Sequence, residues 1–175
     1  SKGEALMRAL MAAGAEFGIT PYGTEALGVM RIEKGHVSGN ELNGQTSARD
    51  LGLGKMASKK KDYIGRILAE RPAFLEADRP IFVGFKPVNR AERLRAGAHF
   101  LALGAEATTA NDEGYMTSVA YSPTLGHSIG LGLLKDGAGR YGERVRAYDP
   151  VRGGDIEVEI CNPAFVDPEG EKQRG

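Results

Sequence analysis

Few residues in this sequence have both the type and the setting to do chemistry. Glu33 stands in Met30-Arg31-Ile32-Glu33-Lys34-Gly35, a carboxylate flanked by two cations. Such an acid can accept hydrogen bonds from the amino and N–H groups of a ligand, or it can pair with its neighbours on a surface; pattern alone favours the second. Lys59-Lys60-Lys61, with Lys55 close by, reads as a solvated face or as an anion site for a polycarboxylate tail. His36, His99 and His127 lie far apart without ligand-spaced partners, so they are expected as surface or turn residues and no metal site is expected. Cys161 is the single cysteine and reads as a small, partly covered hydrophobe at the end of a strand that also carries Glu157 and Glu159. There is no P-loop and no strand-linked GxGxxG with a following acid, so the chain is not expected to hold a dinucleotide; Gly130-Leu131-Gly132 reads as a place where strands approach closely.

The elements that must position these groups fall into two grammars. Gly3 to Ala13 places Leu6, Ala9, Leu10 and Ala13 on one helical face, with Gly14 as a left-handed cap. A second helix is expected from Thr24 as N-cap to Lys34, ended by Gly35, although Leu27, Val29, Met30 and Ile32 leave its end ambiguous between helix and strand. Ser47-Ala48-Arg49-Asp50 resembles a capping box with aspartate in the glutamate place, opening a short helical turn toward Leu53. A third helix is expected over Tyr63 to Glu70, capped by Asp62 and stopped by Pro72.

From Ile81 onward the pieces have strand length: Ile81–Phe85, Phe100–Leu103, Tyr115–Tyr121, Ile129–Leu134, Val145–Tyr148, and the alternation of Ile156, Val158 and Ile160. Turn-rich segments separate them, among them Ser122-Pro123-Thr124-Leu125-Gly126. Short strands without helices between them predict a small antiparallel barrel or sandwich. The expected fold class is α+β: a helix-and-sheet segment over residues 1–75, a β-barrel over 76–168 and a charged, frayed tail over 169–175.

Composition sets bounds on function. A 41% hydrophobic content suffices for a core, and a net charge of zero gives no reason to expect nucleic acid or a membrane surface as partner. One cysteine rules out an intramolecular disulfide, which fits a reducing compartment such as the cytoplasm. The start Ser1-Lys2-Gly3, without a methionine, is open to three readings: a processed start, a tag scar or the edge of a fragment.

Four segments, in order, carry a family resemblance: Ala26-Leu27-Gly28-Val29-Met30-Arg31-Ile32-Glu33-Lys34-Gly35, Lys61-Asp62-Tyr63-Ile64-Gly65, Gly114-Tyr115-Met116-Thr117-Ser118 with Ser122-Pro123-Thr124-Leu125-Gly126, and Asn162-Pro163-Ala164-Phe165-Val166-Asp167-Pro168-Glu169-Gly170. Together they resemble the glycine-cleavage T-protein (aminomethyltransferase) family over nearly the whole chain. The wording Arg31-Ile32-Glu33-Lys34-Gly35-His36-Val37, followed by Asp50-Leu51-Gly52-Leu53-Gly54-Lys55-Met56, is most similar to the branch formed by alpha subunits of heterotetrameric sarcosine oxidases.

The resemblance implies a C-terminal, tetrahydrofolate-binding part of a long subunit. There, sarcosine is oxidised at a flavin on another subunit and its one-carbon unit passes to tetrahydrofolate, giving methylenetetrahydrofolate. Flavin and NAD are expected elsewhere in the parent complex, and the partners are the remainder of the alpha subunit and its companion subunits. The resemblance assigns the pterin to Glu33, by bonds worth roughly 1.5–3 kcal/mol each, and the anionic folate tail to a basic residue, for which Lys55 is the candidate. The family's catalytic aspartate lies N-terminal to everything present, so no catalytic residue is expected in this chain, and the chain alone is expected to be inactive. Two alternatives stay open: a glycine-cleavage aminomethyltransferase or paralogue, and a non-catalytic module for subunit packing.

Overall fold

The computed structural model describes residues 2–174. Ser1 and Gly175, the last residue of the expected tail, lie outside them. The architecture is α+β, with helices first and a closed six-stranded barrel after them. Helix α1 (Lys2–Gly14) and α2 (Thr24–Glu33) agree with the sequence expectation to within a residue or two at each end. Gly14 does not cap α1: it keeps right-handed angles, a 3-10 turn follows, and Gly18 at φ 68° takes the left-handed place.

The expected helix over Tyr63 to Glu70 is corrected to a single turn, α3 (Arg66–Ala69). Gly65 at φ 92° precedes it, an angle no right-handed helix can contain. Pro72 does not end helical structure but opens another turn, α4 (Pro72–Leu75), where its missing N–H costs nothing. The expected capping box is present, with reciprocal bonds between Ser47 and Asp50 (Ser47 N–H to Oδ2 2.8 Å, Asp50 N–H to Oγ 3.3 Å).

All six expected strands form: β1 (Pro80–Pro87), β2 (His99–Leu101), β3 (Gly114–Ser122), β4 (His127–Lys135), β5 (Arg144–Asp149) and β6 (Gly154–Cys161). They pair antiparallel in the order β1-β4-β3-β2-β5-β6, and β6 closes on β1. The interior is apolar. Val83, Phe85, Phe100, Met116, Leu134, Val145, Val158 and Ile160 fill it, with the Phe85 and Phe100 rings stacked at a 4.0 Å centroid distance.

Strand β4 explains how the helical segment is attached. Its glycines face inward, where a Cβ on Gly130 would meet Met116 Sδ at 2.9 Å and one on Gly132 would meet Phe85 at 2.9 Å. Its outward side chains, Ile129, Leu131 and Leu133, join Phe82, Ile32 and Leu51 in a second apolar cluster. The strand is thus covered on both faces, and the helical segment lies on the outer wall over β3 and β4. His127 is consequently buried rather than turn-exposed, its Nδ1 2.8 Å from the Ser128 carbonyl. Among the described residues no helix is long and apolar enough to cross a membrane.

Candidate functional site

Three of the segments that carry the resemblance meet at Glu33, the last residue of α2. Its carbonyl accepts the Phe165 and Val166 N–H groups (2.8 and 2.9 Å), so the closing segment is laid across the helix end. Gly35 permits this: it turns at φ +71°, and a Cβ there would meet the Pro163 carbonyl oxygen at 2.6 Å. The Ser122 hydroxyl, at the end of β3, donates to Glu33 Oε1 at 2.5 Å.

Glu33 does not pair with its flanking cations, contrary to the surface reading of the pattern. Lys34 Nζ binds the Asp167 carbonyl and carboxylate, and Arg31 turns the other way. Glu33 is 8% exposed, and its second oxygen accepts no hydrogen bond from any described residue. That acid lines an open pocket of about 340 Å³ with Leu27, Met30, Lys34 and Lys172. The pocket therefore offers the anchored Glu33 carboxylate, an apolar wall, and a rim on which Lys34 pairs with Asp167 and Lys172 adds a further cation.

A second buried acid, Glu41, has no counterpart among the residues that the sequence singled out. It is fully buried and accepts the hydroxyls of Thr117 (2.5 Å) and Ser118 (2.7 Å), the Ser38 N–H (2.8 Å) and Arg31 Nη1 (3.2 Å). Arg31 also donates to Ser118 Oγ at 2.6 Å. Burial pushes the Glu41 carboxyl up, but the two hydroxyls, the amide and Arg31 more than offset it and hold it below its ordinary value. The clamp depends on a bulge. Side chains alternate along a regular strand, so Thr117 and Ser118 would face opposite sides. The register shifts between Met116 and Ser118, leaving Thr117 as the extra residue, and both hydroxyls reach Glu41 while Met116 and Val119 pack inside.

The remaining candidates lie elsewhere. Lys55 is exposed on the 3-10 turn Gly54–Met56 and is not among the residues lining the Glu33 pocket; Lys59, Lys60 and Lys61 are exposed beyond it. His36 is exposed at the pocket rim. His99 is half-buried, its Nδ1 2.9 Å from Asp112 Oδ2, in a separate hollow of about 190 Å³ beside Tyr148. It pairs with Tyr115, about 20 Å along β3 from Ser122. Among the described residues no three His, Cys, Asp or Glu side chains gather in a way that could hold a metal ion. The expected tail is not wholly frayed: Glu171–Gln173 forms a 3-10 turn, with the Glu171 N–H on Asp167 Oδ1 at 2.8 Å.

Comparison with known proteins bears on the whole chain. Residues 1–61 match the model of the GCVT N-terminal domain, and residues 81–167 match that of the glycine cleavage T-protein C-terminal barrel domain. The sarcosine oxidase subunit alpha of Rhizobium meliloti is 46% identical over 171 residues, covering 97% of this chain and 17% of that protein. That of Corynebacterium sp. strain P-1 is 40% identical over 94% of this chain and again 17% of its own length. An aminomethyltransferase of Bacteroides thetaiotaomicron is 31% identical over 93% of this chain and 43% of its length. The crystal structure of glycine cleavage system aminomethyltransferase T from Bartonella henselae superposes with a TM-score of 0.69, at 24% identity, over 95% of this chain and 44% of that one. The chain thus spans about 17% of the length of the sarcosine oxidase subunits it matches.

Proposed function

Because the chain belongs to the glycine cleavage T-protein family, we propose that it is the tetrahydrofolate-binding, C-terminal part of a sarcosine oxidase alpha subunit. In this reading residues 1–75 complete a folate-binding domain, 76–168 form the barrel behind it and 169–175 are a tail. The observation that carries the reading is Glu33: a buried carboxylate with one oxygen anchored by Ser122 and the other left for a ligand. The donor face of a pterin, an amino group beside a ring N–H, suits that oxygen pair, and Leu27 and Met30 supply an apolar wall for the rings. Lys55 is the proposed partner of the anionic folate tail, supported by its charge and exposure.

Bound tetrahydrofolate would supply the nitrogen nucleophile that accepts the one-carbon unit released by oxidation of sarcosine. Glu33 would bind and orient the pterin. We assign no catalytic residue to this chain. The proposed partners are the remainder of the subunit, which would bring NAD, and companion subunits that bring flavin, in the cytoplasm. Closer similarity to the sarcosine oxidase subunits, 46% against 31%, favours this reading over an aminomethyltransferase. The burial of Glu33 at a pocket favours it over a packing module.

The test is calorimetric titration of the full-length protein that carries this segment with a stable reduced folate. Glu33→Gln should weaken binding about tenfold or more, from the loss of a charge-assisted bond. Equal affinity of the variant and the parent would refute the assignment of the pterin to Glu33.

A further inference from the structure

The Ser122 hydroxyl has one proton and two lone pairs to place. One lone pair is taken by the Leu125 N–H at 3.0 Å. The proton goes to Glu33 Oε1 at 2.5 Å. The serine itself cannot shift to suit another partner. It ends β3, pairs across the hairpin with His127, and its carbonyl accepts the Gly126 N–H at 2.8 Å. It is fully buried, so water has no room to replace the bond. Glu33 is therefore held at two points: its carbonyl by the closing segment, and one carboxylate oxygen by the barrel.

We infer that Ser122 is a positioning residue, whose hydroxyl fixes the direction of the Glu33 carboxylate toward the pocket and so sets affinity for the ligand without touching it. The inference rests on Glu33 being the ligand-binding acid. It also gives the Ser122-Pro123-Thr124-Leu125-Gly126 turn a role beyond reversing the chain. The turn supplies the N–H that sends the serine proton to Glu33, and the hairpin register supplies the distance. A carboxylate without that bond would sample other rotamers, and a ligand would have to order it on binding.

The test uses two variants of nearly the same shape, Ser122→Thr and Ser122→Val, which differ in the hydroxyl. In the full-length protein, titrated with 5-formyltetrahydrofolate, the threonine variant should bind within about threefold of the parent, and the valine variant about tenfold more weakly. The same pair in a Glu33→Ala background should differ by less than about twofold, since a positioning role has nothing left to position. Valine matching threonine in the parent background, where Glu33→Ala binds measurably more weakly than the parent, overturns this inference alone. So does an equal valine-to-threonine loss in both backgrounds, because Ser122 would then act as a prop for the fold. A Glu33→Ala variant that binds as tightly as the parent overturns the reading of the site and this inference with it.

Discussion

The barrel and the segment ahead of it are held by different physics. The barrel buries an apolar interior from six strands that close on themselves, completed by Leu94 and Ala98 of the connection between β1 and β2, so it takes nothing from the segment before Pro80 to fill that interior. Before Pro80, only Ile32, Glu33, Glu41, Asp50 and Leu51 are buried among the described residues, and three of those five are carboxylates. Each acid reaches a donor on the barrel or at its threshold: Glu33 takes Ser122, Glu41 takes Thr117 and Ser118, and Asp50 takes Arg79 at 2.6 Å. Fifteen of the twenty exposed large hydrophobic residues also lie in this segment, including Leu6, Leu10 and Phe17 on α1 and the turn after it. The lesson is that the segment is held by one small apolar seam, Ile32 and Leu51 against the outer face of β4, and by directed polar bonds at a few points, and leaves much of its apolar surface uncovered. That arrangement fixes the walls of one pocket without giving the segment a core of its own.

The sharpest way to break this contrast is to remove apolar volume from each side. Phe85→Ala or Phe100→Ala deletes half of the stacked pair at the centre of the barrel and should cost about 3–5 kcal/mol. Leu10→Ala, on a helix that buries nothing, should change stability by less than about 0.5 kcal/mol. Urea titrations of the three variants measure this directly. A comparable loss from Leu10→Ala would mean that α1 packs against something in solution, and the contrast would have to be withdrawn.

The next prediction concerns the carboxylate pins. Glu41→Ala removes the carboxylate shared by Arg31, Thr117 and Ser118, leaving Thr117 only the Leu131 carbonyl and Arg31 only Ser118 and the His36 carbonyl, and should loosen α2 from β3 at a cost of about 3 kcal/mol. This is the low end for a broken buried pair, because Arg31 reaches solvent. Hydrogen exchange should quicken over residues 24–51 while the barrel strands keep their protection. Acid should act in the same way. Asp50, like Glu41, is held below its ordinary value: burial raises it, and Arg79 and Ser47 more than compensate. Acids with depressed folded-state values contribute their stability above about pH 4, and lose it as the pH falls through those lower values. The segment, with two such acids and a thin apolar seam, should therefore release at a pH where the barrel, with its apolar interior and the one buried depressed acid Asp149, is still folded. Simultaneous loss of protection in both regions would show that they form one cooperative unit.

The legible parts of the sequence are those in which one local pattern decides the outcome. The strands alternate or run apolar between turn residues, and β4 is legible through its apolar run Ile129–Leu134, because both its faces are covered. The helical segment departs from expectation where glycine angles decide. Gly14, expected as a left-handed cap, stays right-handed, and Gly65, expected inside a helix, turns left-handed. Nothing in the residues beside a glycine fixes which angle it takes, because glycine reaches both at little cost. Glu33 stands out through its family wording, while Glu41 sits in a polar loop with no periodicity to mark it. One signal for it is present. Met116-Thr117-Ser118-Val119 has two polar residues between two inward-facing apolar ones, where an unbroken strand allows one; that spacing marks a bulge and hence two hydroxyls aimed outward. Their acceptor is not legible, because Glu41 is 76 residues from Thr117 and the pairing exists only once the loop is laid on the barrel.

The smallest expected effect tests whether the barrel protects its groups even at its ends. Cys161 closes β6 and is only partly covered, so geometry alone would allow a reagent to reach it. Burial nevertheless pushes its thiol up to about 12, and Glu159 adds to the rise while Lys86 opposes it. At pH 8 the reactive thiolate would then be on the order of one molecule in ten thousand, against about a quarter for a free cysteine. Alkylation with iodoacetamide at pH 8, followed by mass spectrometry, should accordingly leave Cys161 largely unmodified while the protein is folded and modify it promptly in urea. The partner charge gives a second handle: Lys86 bonds Glu159 at 2.8 Å, and Lys86→Met should slow the labelling further by removing the one nearby cation that favours the thiolate. Prompt labelling of the folded protein would show that the end of β6 opens, and that directed bonds, rather than barrel closure, hold this edge as they hold the segment before Pro80.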